Sequence, residues 1–194
     1  MTLPLSPDGK RRCFGGKPGQ DLYAHYHDTE WGVPQWDDRA LFEMLILEGA
    51  QAGLNWETVL KKRAGYRAQF HGFDPVKVAA MTDTALEQAR DNPAIIRNRL
   101  KIYATRKNAQ AFLALQERYG SFAAYLWRFV DGTPIVNHWD QFDQVPVTTA
   151  ISDALSKDLK ASGMTFVGST ILYAYMQATG LVDDHLSTCW CRTG

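Results

Sequence analysis

Gly163-Met164-Thr165-Phe166-Val167-Gly168-Ser169-Thr170 is a short apolar turn that ends in Val-Gly directly ahead of a serine. On one side, Ser152 to Ser162 reads as a helix stopped by Gly163. On the other, Ser169 to Thr179 reads as a second helix stopped by Gly180. Two short helices joined this way present backbone N–H groups and the positive end of a helix dipole. That is a phosphate site needing no side-chain charge. The same residues also suit an ordinary pair of helices with a glycine cap, and the pattern alone leaves both readings open.

Outward from this pair the chain reads as helix almost throughout. Asp37 or Asp38 is placed to cap a helix that runs to about Ala52 and stops at Gly53. Asn55 starts another, through Trp56 to about Phe70. Asp74-Pro75 has the form of a cap followed by proline at the first helical position. Thr84 and Glu87 have capping-box spacing. A long helix is predicted from Arg97 to Tyr119, ended by Gly120, and Ser121 opens one that stops at Asp131-Gly132. Residues 1–20 are rich in Gly, Pro, Lys and Arg and read as extended, with 1–10 flexible. Pro134 to Val147 lacks helical period, and no alternating pattern lasts long enough for a sheet. The expected class is all-α, with about eight helices in one domain spanning 1–194.

Composition narrows the partners. The 194 residues carry 21 basic and 21 acidic side chains, a formal net charge of zero. No global field draws in a polyanion, so any nucleic acid must be held by local features. Two basic clusters stand out: Lys61-Lys62-Arg63 with Arg67, and Arg97, Arg99, Lys101, Arg106 and Lys107. Such clusters are usually solvated faces. Aromatic residues make up 12%, enough for core rings plus a few that stack on a flat ligand; Trp31 and Trp36 read as core. No run of 18 apolar residues and no apolar leader segment is present, so no membrane association is expected and the location reads as cytoplasmic. In a reducing compartment, three cysteines argue for metal binding or inert thiols rather than disulfides.

Two features carry chemistry. In Leu41-Phe42-Glu43-Met44-Leu45-Ile46-Leu47-Glu48-Gly49, residues Leu41, Leu45 and Glu48 share one helix face. Glu48 thus continues an apolar stripe, where an unpaired charge is costly. It is either a structural carboxylate tied to a partner or a pocket acid that meets a ligand. Trp56, just past the break at Gly53, is placed to face the same cavity. The second feature is Cys13, His25 and His27 near one end of the chain with His185, Cys189 and Cys191 near the other. Two histidines and two thiolates make a closed tetrahedral zinc site; unrelated thiols and surface histidines are the alternative. His71 and His138 have no such company and read as surface residues.

The stretch Tyr26-His27-Asp28-Thr29-Glu30-Trp31-Gly32-Val33-Pro34 resembles the bacterial 3-methyladenine DNA glycosylase I family. So do residues 47–56, 73–79, 152–157, 166–168, 176–178 and 181–185, in order from about Arg12 to Cys191. The resemblance implies a helix-hairpin-helix DNA glycosylase-like fold, with the motif at about 152–180. It also implies one structural Zn2+ per chain, held by Cys13, His27, His185 and Cys189, that clasps the two ends together. It matches Glu48 to the acid of the base pocket, and Tyr26, Trp56 and Tyr23 to the rings around it. The implied activity is hydrolysis of the N-glycosidic bond of 3-methyladenine in double-stranded alkylated DNA, releasing the free base. The implied enzyme is monomeric. After Gly168 there is no lysine at the place where strand-cleaving relatives carry one, so no lyase activity is expected. Asp183 and Asp184 lie where related glycosylases keep an aspartate, but the resemblance makes neither catalytic. Contacts to DNA are assigned to Gly168, Ser169 and Thr170, and to Leu54 as a wedge at the exposed break between two helices. One departure stands out: the family usually has Trp two residues after the first zinc cysteine, and here that place is Gly15, leaving Phe14 to supply a ring. A protein that binds alkylated bases without cutting, or a zinc-stabilised helical adaptor, is the competing reading. Release of free base from methylated DNA separates them.

Overall fold

The structure is a computed structural model that describes residues 3–192. Among these residues it contains ten α-helices: α1 Asp21–Thr29, α2 Asp38–Gln51, α3 Trp56–Lys61, α4 Arg63–Gln69, α5 Pro75–Ala79, α6 Asp83–Ala89, α7 Arg99–Tyr119, α8 Phe122–Trp127, α9 Ala150–Ala161 and α10 Ser169–Ala178. The two-stranded parallel ladder of β1 (Ile135–Val136) and β2 (Val182–Asp183) pairs Ile135 with Val182. The fold is thus mostly helical, as the periodicity predicts. The ladder is two residues long, too short to leave an alternating pattern. No helix among the described residues is long and apolar enough to cross a membrane.

α2 is the centre. Every residue from Leu41 to Ala50 is buried, so the helix is apolar nearly all round, as a helix enclosed by others must be. Asp37 caps it by accepting from the Ala40 amide at 2.8 Å. Asp38 then reaches across the molecule: its carboxylate accepts from the amides of Phe122 and Ala123, both at 2.8 Å, and thereby fixes the start of α8. α7, α8, α10 and α3 all pack on α2.

Several boundaries differ from the sequence reading. Thr82, not Thr84, caps α6, because its hydroxyl accepts from the Ala85 amide. Asn98 caps α7, which begins at Arg99. Thr149 caps α9 in a reciprocal pair with Ser152, so Ser152 is the third residue of the helix and not its start. The helix expected from Asn55 to Phe70 breaks at Lys62. There the chain bends so that Gly65 lies against Ala94, where a Cβ would sit 2.3 Å from the Ala94 carbonyl, and Lys62 Nζ donates to the carbonyl of Pro93. Trp36 is not core: it is 52% exposed and stacks on the buried Trp127 with ring centroids 4.1 Å apart. α1 leaves no helical signal in the sequence. Only Tyr26 and His27 are buried along it, so it lacks an apolar stripe to read.

Candidate functional site: a buried acid beside a cysteine and histidine cluster

Tyr26 and Trp56, on α1 and α3, bring their rings to 5.3 Å, tilted by 48°. Glu48, whose carboxyl acts electrostatically on both Tyr26 and Tyr23, is 4% exposed. Its Oε2 has no hydrogen-bond partner among the described residues, and neither has the buried Trp56 Nε1. Burial pushes the Glu48 carboxyl from its ordinary 4.5 up to about 8. Glu43, the other buried acid of α2, is handled differently: Arg63 and Arg67 both donate to it. Arg63 is largely buried by this pairing, while Arg67 pairs with Glu43 from a side chain that remains 53% exposed. An isolated buried carboxyl costs stability, and two buried polar atoms without partners mark Glu48 and Trp56 as candidates for a functional site.

Phe14 and Tyr23 continue the aromatic wall, with centroids 4.6 Å apart. Burial raises the Tyr23 hydroxyl to about 12, with Glu57 and Glu48 adding to the rise. Gly15 makes this possible. At φ +75° it lies so close to α1 that a Cβ would meet the Ala24 nitrogen at 2.6 Å. At this position the chain has close backbone contact rather than a side chain, and Phe14, one residue earlier, supplies a ring to the aromatic row.

Cys13, His27, His185 and Cys189 converge, all four buried, with ligand atoms within 4.8 Å of one another. Cys189 Sγ lies 3.4 Å from His27 Nε2 and 3.4 Å from His185 Nδ1, and Cys13 Sγ lies 3.7 Å from His185 Nδ1. A tetrahedral ion bonded to sulfur and nitrogen at the usual lengths holds them about 3.5 Å apart, so the group could hold a metal ion. The far nitrogens fit as well: His27 Nδ1 is 2.9 Å from Asp28 Oδ1, and His185 Nε2 is 3.2 Å from the Trp31 carbonyl. Metal-bound imidazoles commonly bond such oxygens through their other nitrogen. His25 and the exposed His71 and His138 stand apart. Cys191 lies on the rim, with its sulfur 3.8 Å from His27 Nδ1. Asp28, which Arg12 and Trp190 hold in place, went unnoticed in the sequence; its position next to His27 was the available signal.

Leu54 is 43% exposed at the α2–α3 break. Gly168, Ser169 and Thr170 form the start of α10, which no side chain caps. Phe166, in the turn before it, sits at φ +57° and packs against Gly49 of α2, where a Cβ would meet it at 3.3 Å. Asp184 is saturated by Asn137, Trp139, Tyr173 and Gln177 and serves as a structural knot. Asp183 accepts from the His185 amide.

Comparisons with known proteins place the chain in a family. A family model described as methyladenine glycosylase matches residues 17–193. DNA-3-methyladenine glycosylase 1 of Escherichia coli (strain K12) is 51% identical over 184 residues, which cover 94% of this chain and 97% of that protein. The DNA-3-methyladenine glycosylase of Haemophilus influenzae is 49% identical over 174 residues, covering 90% and 94%. A crystal structure of a 3-methyladenine DNA glycosylase I variant in complex with 3-methyladenine matches with a TM-score of 0.88 at 36% identity, over 90% of this chain and 94% of that one. By its sequence and by its fold, this chain belongs to the methyladenine glycosylase family.

Proposed function

We propose that the chain removes 3-methyladenine from alkylated duplex DNA by hydrolysing its N-glycosidic bond, without cutting the strand. The observation that carries this reading is the buried Glu48 carboxyl, whose Oε2 has no hydrogen-bond partner among the described residues. The printed names of the relatives support the substrate.

A base inside the duplex is out of reach, so the nucleotide must be extruded. N3-methylation makes the base a cation and weakens its glycosidic bond, so less chemical help is needed than for a neutral base. Tyr26, Trp56 and Tyr23 wall the pocket, and each ring face that meets the cation contributes about 1–2 kcal/mol once desolvated. Glu48 accepts from the exocyclic-amine side of the base, which selects adenine over guanine, and its charge pairs with the cation. Water is the nucleophile.

The remaining residues hold DNA and the fold. Residues 152–180 act as a helix-hairpin-helix, with the amides of Gly168, Ser169 and Thr170 receiving a phosphate, and Leu54 fills the gap left by the extruded base. Cys13, His27, His185 and Cys189 hold one zinc ion. Four protein ligands leave no open position, so the ion supplies a structural cross-link and no chemistry of reaction. The chain works as a monomer of one domain in the cytoplasm. An assay that scores free base released from methylated DNA tests the proposal: release of 3-methyladenine with the strand left intact supports it, and binding without release would replace it with a non-catalytic reader of alkylated bases.

A further inference from the structure

α7 ties the two parts of the DNA-facing side together. Near its start, Lys101 Nζ donates to the carbonyls of Ala50 and Ala52, at 2.8 and 2.7 Å, just ahead of Leu54. In its middle, Asn108 (3% exposed) exchanges two 2.9 Å hydrogen bonds with the Thr165 backbone in the turn before α10. Between α7 and that turn runs a groove of about 520 Å³, whose lining includes Leu100, Tyr103, Arg106, Lys107 and Phe166 and no carboxylate. Leu100 is 68% exposed. Arg106 pairs with Asp83 at 2.6 Å, and Arg99 beside the groove pairs with Glu87. Lys107 is exposed and no ion pair engages it among the described residues. Leu100 and Lys107 lie seven residues apart, two turns along one helix face, about 10 Å.

The groove's own lining offers a free cation and apolar lips, and the acids at its border, Asp83 and Glu87, are engaged by Arg106, Arg99 and the Tyr103 hydroxyl; such a lining suits a chain of phosphates joined by apolar sugars. The geometry points to this groove as a track for the deoxyribose-phosphate backbone beyond the α9–α10 turn, with Lys107 taking a phosphate and Leu100 and Phe166 packing on deoxyribose. This inference rests on the DNA-glycosylase reading above. It extends the interface of a chain with zero formal charge to a surface outside the helix-hairpin-helix. Phe166, held at φ +57°, connects the two.

The test measures binding of a duplex oligonucleotide carrying a tetrahydrofuran abasic-site analogue over a range of salt concentrations. Lys107→Ala should reduce the slope of log K against log salt by about 0.9, the value of one phosphate contact. Lys107→Glu and Leu100→Asp should each weaken binding roughly tenfold, a cost of about 1.4 kcal/mol, and raise KM more than they lower kcat on methylated DNA. Arg118→Ala, eleven residues and roughly 16 Å beyond Lys107 along α7, should match the unaltered chain. An unchanged slope and affinity in Lys107→Glu, with the unaltered chain still binding DNA and releasing base, overturns the groove alone. So does a loss confined to binding of an acidic polypeptide such as poly-glutamate. Failure of the unaltered chain to bind or act on DNA overturns this inference together with the function it rests on.

Discussion

Tyr26 and His27 are neighbours on α1 and face two different groups of side chains. The Tyr26 ring stands 5.3 Å from Trp56, while His27 Nε2 stands 3.4 Å from Cys189 Sγ in the four-residue cluster. α1 has no apolar stripe of its own; the cluster anchors it at His27, beside the buried Tyr26 and the Arg12–Asp28 ion pair. Elemental analysis is expected to find about one zinc per chain. His185→Ala should lose that metal, lower the thermal midpoint by several degrees and weaken binding of free 3-methyladenine, although His185 lies outside the pocket. Metal-free protein that still binds the base with unaltered affinity would disconnect the two sites.

Glu48→Gln keeps the volume and one acceptor and removes the charge. Hydrogen bonds and pairings that involve an ionised group contribute about 1.5–3 kcal/mol, equivalent to a loss of roughly 10- to 100-fold. The loss should appear in kcat/KM for 3-methyladenine release from methylated oligonucleotides, with the circular dichroism spectrum unchanged. Excision at the normal rate would remove Glu48 from the pocket.

The same residue sets a pH dependence of stability whose sign is opposite to that of a salt-bridged acid. Burial holds the folded carboxyl at about 8 against an ordinary 4.5. Between those values the unfolded chain gives up the proton and the folded chain keeps it. Stability from this group therefore falls as pH rises from about 4.5 to about 8, by up to about 1.4 kcal/mol per pH unit, and levels off above. Glu48→Gln has no proton to lose, so it should melt above the unaltered protein at pH 8, with the gap nearly closed at pH 5. Melting curves at the two values decide it; a gap that is equal at both would mean the carboxyl is not desolvated. In activity the sign reverses, because the cationic base needs the ionised acid: kcat/KM should rise with pH towards about 8, and the variant should lack that limb.

What could be read without the structure followed physical signals that are local in the chain. Caps such as Asp37 and Asn55 mark their helices because the side chain bonds an amide three residues on. The stripe of Leu41, Leu45 and Glu48 placed the acid inside, but it did not separate Glu48 from Glu43, which is equally buried. The difference lies in Arg63 and Arg67 on α4, some 20 residues away, which turn toward Glu43 and leave Glu48 alone. The break at Lys62 depends on contacts with residues 93 and 94, and β1–β2 pairs residues 47 apart. Such long-range contacts leave no periodicity to read. Asn108 had a weaker signal: a polar amide on the face of α7 that also carries Thr105 and Phe112.

That amide supports the final prediction. Phe166 adopts a left-handed backbone, which a bulky side chain disfavours by about 1–2 kcal/mol, so something must hold the turn. Asn108 does so through both ends of its amide, assisted by Ser156 Oγ, which donates to the Val167 carbonyl at 2.7 Å. Asn108→Ala removes two hydrogen bonds worth about 1 kcal/mol each and leaves the Thr165 amide and carbonyl without their partner. Faster hydrogen exchange is expected across residues 164–168, together with a several-fold loss of affinity for abasic-site duplex. Because Glu48, Tyr26 and Trp56 do not touch this turn through Asn108, binding of free 3-methyladenine should stay as it is. A matching loss of free-base binding would make Asn108 a general support of the core, and the turn would no longer be a separately held DNA contact.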